Sequence, residues 1–167
     1  MIIFDASTLI LLPKADLLPQ VLEEFPSAMP ESVRVEVTRK ETMDAAVIQE
    51  LISRVRLAVR PDPAAAQVRR LVADFRIGRG EAAAFLLAQR VGATLATDDG
   101  VAIRICKSMG VPFATAIHFL IAAKASGRLG EDLALAKLDL LAHWGRYAAR
   151  IVEDAARRVR GGEEQWE

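Results

Sequence analysis

Apolar residues along this chain fall into two alternating patterns, short continuous runs and longer stretches in which they recur three and four positions apart. The run Ile2-Ile3-Phe4 ends on Asp5 and reads as a strand. Ser7 follows as the expected N-cap of a helix carrying the apolar block 9–12. Pro13 is expected to interrupt that helix, with a second one over 16–25 before a break at 26–30. A helix bearing Val33, Glu36 and Val37 comes next, and helical spacing returns through Ala45, Ile48, Leu51, Ile52 and Val55. Residues 57–59 read as a second buried strand. Past Pro61 and Pro63, Val68, Leu71, Val72 and Phe75 again recur at helical spacing, closed by Gly78. Gly78-Arg79-Gly80 is a turn that brings Glu81 into the first turn of a helix running to Val91, with Gly92 as its C-cap. A strand over 93–97 ends on Asp98-Asp99. A helix over 101–109, a strand at 111–114 and a helix over 117–124 complete the alternation.

Strands alternating with helices imply a three-layer α/β/α domain with a mainly parallel sheet. The expected organisation is one such domain over 1–128, a C-terminal helical extension over 129–160 and a mobile tail over 161–167, which holds glycines and charges but little that is apolar. Apolar residues make up 52% and aromatic ones only 5%, so Ala, Leu, Val and Ile must fill the core. Cys106, the single cysteine, cannot form an internal disulfide and is read as a buried thiol. Twenty-two basic and 22 acidic residues cancel, so nucleic acid would have to be held by local patches rather than by a global field. Nothing basic precedes the apolar run at the N-terminus. The longest nearly apolar stretch, 114–123, falls short of the roughly 20 residues that span a bilayer. A cytoplasmic protein outside the membrane is the expectation.

The chemistry-bearing residues are acids at particular places in that alternation. Ligands of an open parallel sheet gather beyond the carboxyl ends of its strands, and two expected strands end on aspartate, at Asp5 and at Asp98-Asp99. Glu81 adds a carboxylate where the helix dipole favours negative charge. Several acids in one cleft raise each other's pKa unless a cation joins them. Oxygen donors without His or Cys suit Mg²⁺ or Mn²⁺, which keeps waters and takes phosphate oxygens as further ligands. Each residue also has a plainer role available: turn or N-cap for Asp5, exposed helix acid for Glu36, dipole compensation for Glu81, N-cap for one of Asp98 and Asp99. Their joint arrangement carries the functional expectation. His118 and His143 lack metal-ligand spacing and are read as non-catalytic.

In order and spacing, Ile3-Phe4-Asp5-Ala6-Ser7, then 30–36 with Glu36, then Gly80-Glu81 opening an Ala-rich helix, then Leu95-Ala96-Thr97-Asp98-Asp99 resembles the PIN-domain pattern over about 1–125. The stretch 118–127 also resembles the subgroup whose final helix precedes a glycine turn and extra C-terminal helices. The resemblance implies a metal-dependent endoribonuclease, often the toxin of a toxin-antitoxin pair and often a homodimer. It implies catalytic roles for Asp5, Glu36, Glu81 and Asp99, with Asp98 as a supporting acid. Asp5, Glu81 and Asp99 are the implied metal ligands. Some relatives use the earlier aspartate, so the choice between Asp98 and Asp99 stays open. Ser7 matches the small hydroxyl residue after the first acid. Arg79 and Arg104, with Lys107, flank the acids as candidate phosphate contacts, and Arg157, Arg158 and Arg160 form a denser basic cluster.

Two other readings compete. A phosphatase with an aspartyl nucleophile at Asp5 would want a second Asp at position 7, where Ser7 stands. A non-catalytic RNA- or protein-binding module would need no metal. A homodimer is expected through helices near 44–55 or through the C-terminal extension.

Overall fold

The structure is a computed structural model that describes residues 1–161. The expected mobile tail lies, beyond Gly161, outside the described residues. Five parallel strands form one sheet in the order β3-β2-β1-β4-β5. They are β1 (Ile2–Phe4), β2 (Ser27–Pro30), β3 (Ala58–Arg60), β4 (Thr94–Ala96) and β5 (Phe113–Ala114). Helices α1 (Ala6–Lys14), α2 (Leu18–Glu24), α3 (Glu31–Thr38) and α4 (Met43–Ser53) connect the first three strands. The chain then returns across the sheet through α5 (Ala65–Phe75) and α6 (Arg79–Val91), and α7 (Gly100–Met109) joins β4 to β5. Right-handed crossovers require these two groups of helices to cover opposite faces. α6 accordingly packs on β1, β2 and β4 and between α5 and α7. This is the three-layer α/β/α arrangement.

Parallel strands covered on both faces must be apolar throughout. Ile3, Phe4, Met29 and Leu95 are each almost wholly excluded from solvent. β1 pairs with β4 in the register Phe4↔Ala96. This is where the strand order reverses, the point at which such sheets open a crevice at their carboxyl ends. Asp5 and the Asp98-Asp99 pair therefore leave the sheet side by side.

Five local expectations are corrected. The N-cap of α1 is Asp5 rather than Ser7, because the Asp5 backbone is extended and its carboxylate accepts from the Thr8 amide. Pro13 does not interrupt α1; it sits in the last turn, where only one ladder bond is lost before the helix ends. The break at 26–30 contains β2, an interior strand whose Ser-Ala-Met-Pro sequence lacks β-branched residues. Pro30 closes it without needing an amide in the ladder. β3 is a partly exposed edge strand, not a buried one. Val55 lies outside α4, with positive φ and 83% exposure.

The chain continues through α8 (Ala116–Ala125), α9 (Glu131–Trp144) and α10 (Ala149–Val159). α9 packs on α8 and α1, and α10 packs on α8 and α9. Leu129, Ala134, Leu138, Leu141, Ala155 and Val159 join the same buried cluster as the sheet. Lys137 fixes the attachment. Its Nζ is buried and donates to the carbonyls of Ala15 and Asp16 at 2.8 and 2.9 Å, where the chain turns after α1. Removing that donor leaves two carbonyls unsatisfied. Lys137→Met is therefore expected to cost about 1–3 kcal/mol of stability, read as a lower midpoint in urea unfolding; an unchanged midpoint would mean that water replaces the ammonium freely.

Candidate active site

The five acids singled out in the sequence all lie at the carboxyl end of the sheet, in two groups of different character. The inner group is Asp5 with Asp98. Asp5 has no solvent exposure. Its Oδ1 accepts from Ser7 Oγ at 2.7 Å and from the Thr8 amide at 3.2 Å, and its Oδ2 accepts from the Thr97 hydroxyl. Burial pushes its pKa from 3.8 up to about 7, against the pull of these three donors, and neighbouring Asp98 adds to the rise.

Asp98 gathers three elements. It accepts from Thr8 Oγ1 at 2.7 Å, from the Ala116 amide at the start of α8, and from the hydroxyl of Tyr147. Its own amide donates to Ser7 Oγ at 2.8 Å. Burial raises its pKa while those donors pull it down. Burial first, and then the charge and hydrogen bond of Asp98, push the Tyr147 phenol well above the usual range. Asp98 is thus a joint between α1, β4, α8 and the C-terminal helices.

The outer group is Glu36, Glu81 and Asp99. Asp99 caps α7, and both bonds, from the Val101 and Ala102 amides at 2.8 Å, fall on Oδ1. Oδ2 takes part in neither. Glu81 is the third residue of α6, and its Oε2 accepts from the Gly78 amide at 2.7 Å. Burial first, then the charges of Asp99 and Glu36, raise its pKa. Glu36 reaches this place because position 80 is glycine. A Cβ there would stand 2.7 Å from Glu36 Oε2 and 3.3 Å from Val33 Cγ2. Three carboxylates from three distant segments thus share one electrostatic neighbourhood.

In kind these donors fit a hard divalent cation, since they are carboxylate oxygens whose repulsion a cation would relieve. Among the described residues, however, no three His, Cys, Asp or Glu side chains stand close enough to hold one ion. A Mg²⁺ ion bound through two carboxylates, water and substrate oxygens does not need three.

Of the candidate phosphate contacts, Arg79 lies 3.2 Å from Asp62, whereas Arg104 is an exposed residue on α7. Arg157 pairs with Asp154 within its own helix. His118 closes a capping box with Thr115 at the start of α8, and His143 packs edge-on against Trp144. Cys106 is buried as expected, its thiol pushed up to about 11 mainly by burial. The sequence reading missed Thr8, Thr97 and Tyr147. Thr8 stands one turn after Asp5 and Thr97 directly before the acids, so spacing could have found both. Tyr147, the only tyrosine, is 49 residues from its partner and gives no local signal.

The sign of the Asp5 shift yields a test. Below 3.8 the proton is bound in native and unfolded chains alike; between 3.8 and about 7 only the native chain keeps it, so stability falls across that window and levels off above. The full loss is on the order of 4 kcal/mol. In EDTA, Asp5→Asn should therefore melt higher than wild type, by a margin that grows across the window and then stays constant. A melting temperature lowered at every pH would make Asp5 a cap residue only.

A family model described as a PIN domain matches residues 1–160, which takes in α9 and most of the described chain besides the sheet and its acids. Comparisons with curated proteins and with solved structures return no match. Fold, order of elements and family model agree, and the chain belongs to the PIN-domain family, whose fold is nuclease-like.

Proposed function

We propose that this chain is a cytoplasmic endoribonuclease that uses Mg²⁺ or Mn²⁺ to hydrolyse RNA phosphodiester bonds, in the manner of a toxin paired with a protein antitoxin. The observation that carries this reading is the seat of Glu36 against Gly80, which brings its carboxylate into the electrostatic neighbourhood of Glu81 and Asp99. Of Asp5, Glu81 and Asp99, two carboxylates would hold the metal, with water and substrate oxygens as its other ligands. Bound there, a divalent cation lowers the pKa of a water ligand and offsets charge that builds on the phosphate.

The chain's own residues supply orientation. Ser7, Thr8 and Thr97 donate to Asp5 and fix its plane. Asp99 keeps Oδ1 on the α7 amides, which aims Oδ2 away from the helix. Asp98 acts as a supporting acid by holding α8 and Tyr147 in place. Arg104 is offered as a contact to RNA phosphate.

A second reading, a non-catalytic RNA- or protein-binding module, is favoured by one observation: Asp5 is fully buried and both its oxygens are engaged. Cleavage separates the two. Single-stranded RNA should be cut with Mg²⁺ or Mn²⁺ and left intact in EDTA, and Asp99→Asn or Glu81→Gln should each lower the rate at least about 100-fold. Gly80→Ala should lower activity strongly, because its Cβ takes the space of the Glu36 carboxylate. His143→Ala should change little. Mn²⁺ at about 100 times its dissociation constant should stabilise wild type by roughly 2.7 kcal/mol. Cleavage undiminished in EDTA, or no stabilisation by Mn²⁺, overturns the metal assignment.

The proposed homodimer has support in Leu133, Leu140 and Trp144, exposed apolar residues on α9. Light scattering at tens of micromolar should give twice the 18.2 kDa chain mass; a monomer there contradicts it.

A further inference from the structure

Between α7, α8 and α10, at the mouth of the acidic site, lies a cavity of about 550 Å³. Ile103, Phe113, Ile121 and Ile151 give it an apolar surface, and Asp98 and Asp99 stand at its edge. Lys107, Arg146 and Arg158 bring three cations to the lining, and Asp154 joins Asp98 and Asp99 as a third acid. Among the described residues neither Lys107 nor Arg146 forms an ion pair, although Lys107 Nζ lies 5.9 Å from the Phe113 ring centre. The Thr115 amide donates to His118 Nδ1, so the ring proton of the neutral imidazole is on Nε2 and is available to an acceptor.

We infer that this cavity is a nucleotide subsite that takes one unstacked base of single-stranded RNA beside the bond presented to the acids. Three features select that occupant. The volume, and an apolar floor ringed by polar and charged side chains of both signs, are those of a small-ligand pocket rather than of a protein interface. Phe113 offers an aromatic surface of the kind on which single-stranded bases stack, whichever base is present. Lys107 and Arg146 provide the positive charge that a ribose phosphate needs, in a chain whose overall charge is zero. α10 supplies Ile151 and the α9–α10 connection supplies Arg146, so the C-terminal helices build part of the substrate site.

The inference rests on the nuclease reading for what the neighbouring acids act upon, and binding can be measured apart from cleavage. Isotope-labelled full-length protein in EDTA is titrated with adenosine 5′-monophosphate and, separately, with ribose 5-phosphate while amide shifts are followed. The nucleotide should move the amides of Phe113, His118 and Ile151 and bind about tenfold more tightly than the sugar phosphate, the size expected for stacking of one base. Ile151→Asp and Arg146→Ala should each weaken it tenfold or more. Arg56→Ala, an exposed residue before β3 and outside the cavity, should not. Arg146 is a surface side chain, so its variant remains informative if Ile151→Asp fails to fold. Equal affinity for the two ligands, or shifts clustered elsewhere, overturns the subsite, even with RNA cleavage in Mn²⁺ intact. Nucleotide binding at these amides by a protein that cuts no RNA upholds the subsite and removes the nuclease reading instead.

Discussion

A carboxylate with no access to water must find its donors within the protein, and Asp5 finds them on two segments about ninety residues apart. Ser7 and Thr8 come from the helix that Asp5 itself caps; Thr97 comes from the end of the neighbouring strand. The arrangement is possible only because β1 and β4 lie adjacent in parallel, with Phe4 opposite Ala96 and the Asp5 amide bonded to the Ala96 carbonyl. Sheet order, helix start and acid placement are therefore one constraint. Desolvating a carboxylate costs free energy that three donors only partly offset, which leaves the group poised for a positive charge.

A second buried acid extends that constraint to the C-terminus. Asp98 takes its donors from α1, from the first amide of α8 and from Tyr147. Together with Lys137 on the carbonyls after α1, this ties the last helices to the site at one end and to the first helix at the other. They complete the buried cluster and line the cavity beside the acids.

Much of this was legible in the sequence because it depends on local rules. Continuous apolar runs ending in aspartate marked β1 and β4, and Gly78-Arg79-Gly80-Glu81 marked the start of α6, since glycine and a third-position glutamate both suit a helix N-terminus. β2 escaped notice because proline flanks it and small residues fill it; its place is fixed by neighbours on both sides rather than by its own propensity. Ser7 was misassigned as the cap because two good cap residues on either side of Ala6 differ only in backbone angle, which tertiary pairing sets. The seat of Glu36 and the Tyr147 contact depend on how distant helices approach, and no spacing within one segment encodes that. The reading of 129–160 as an appendage follows from composition alone, whereas its contacts with the acids are made by a few particular side chains.

The sheet has two free margins, and the one at β3 is only three residues long. Arg56 and Arg60 are exposed around it, and Pro61 follows at once with no amide to offer a further strand. Such a border repels the edge-to-edge pairing through which parallel sheets otherwise fuse into larger assemblies. Strand addition is thereby disfavoured on that side of the sheet by charge and by the missing amide alone.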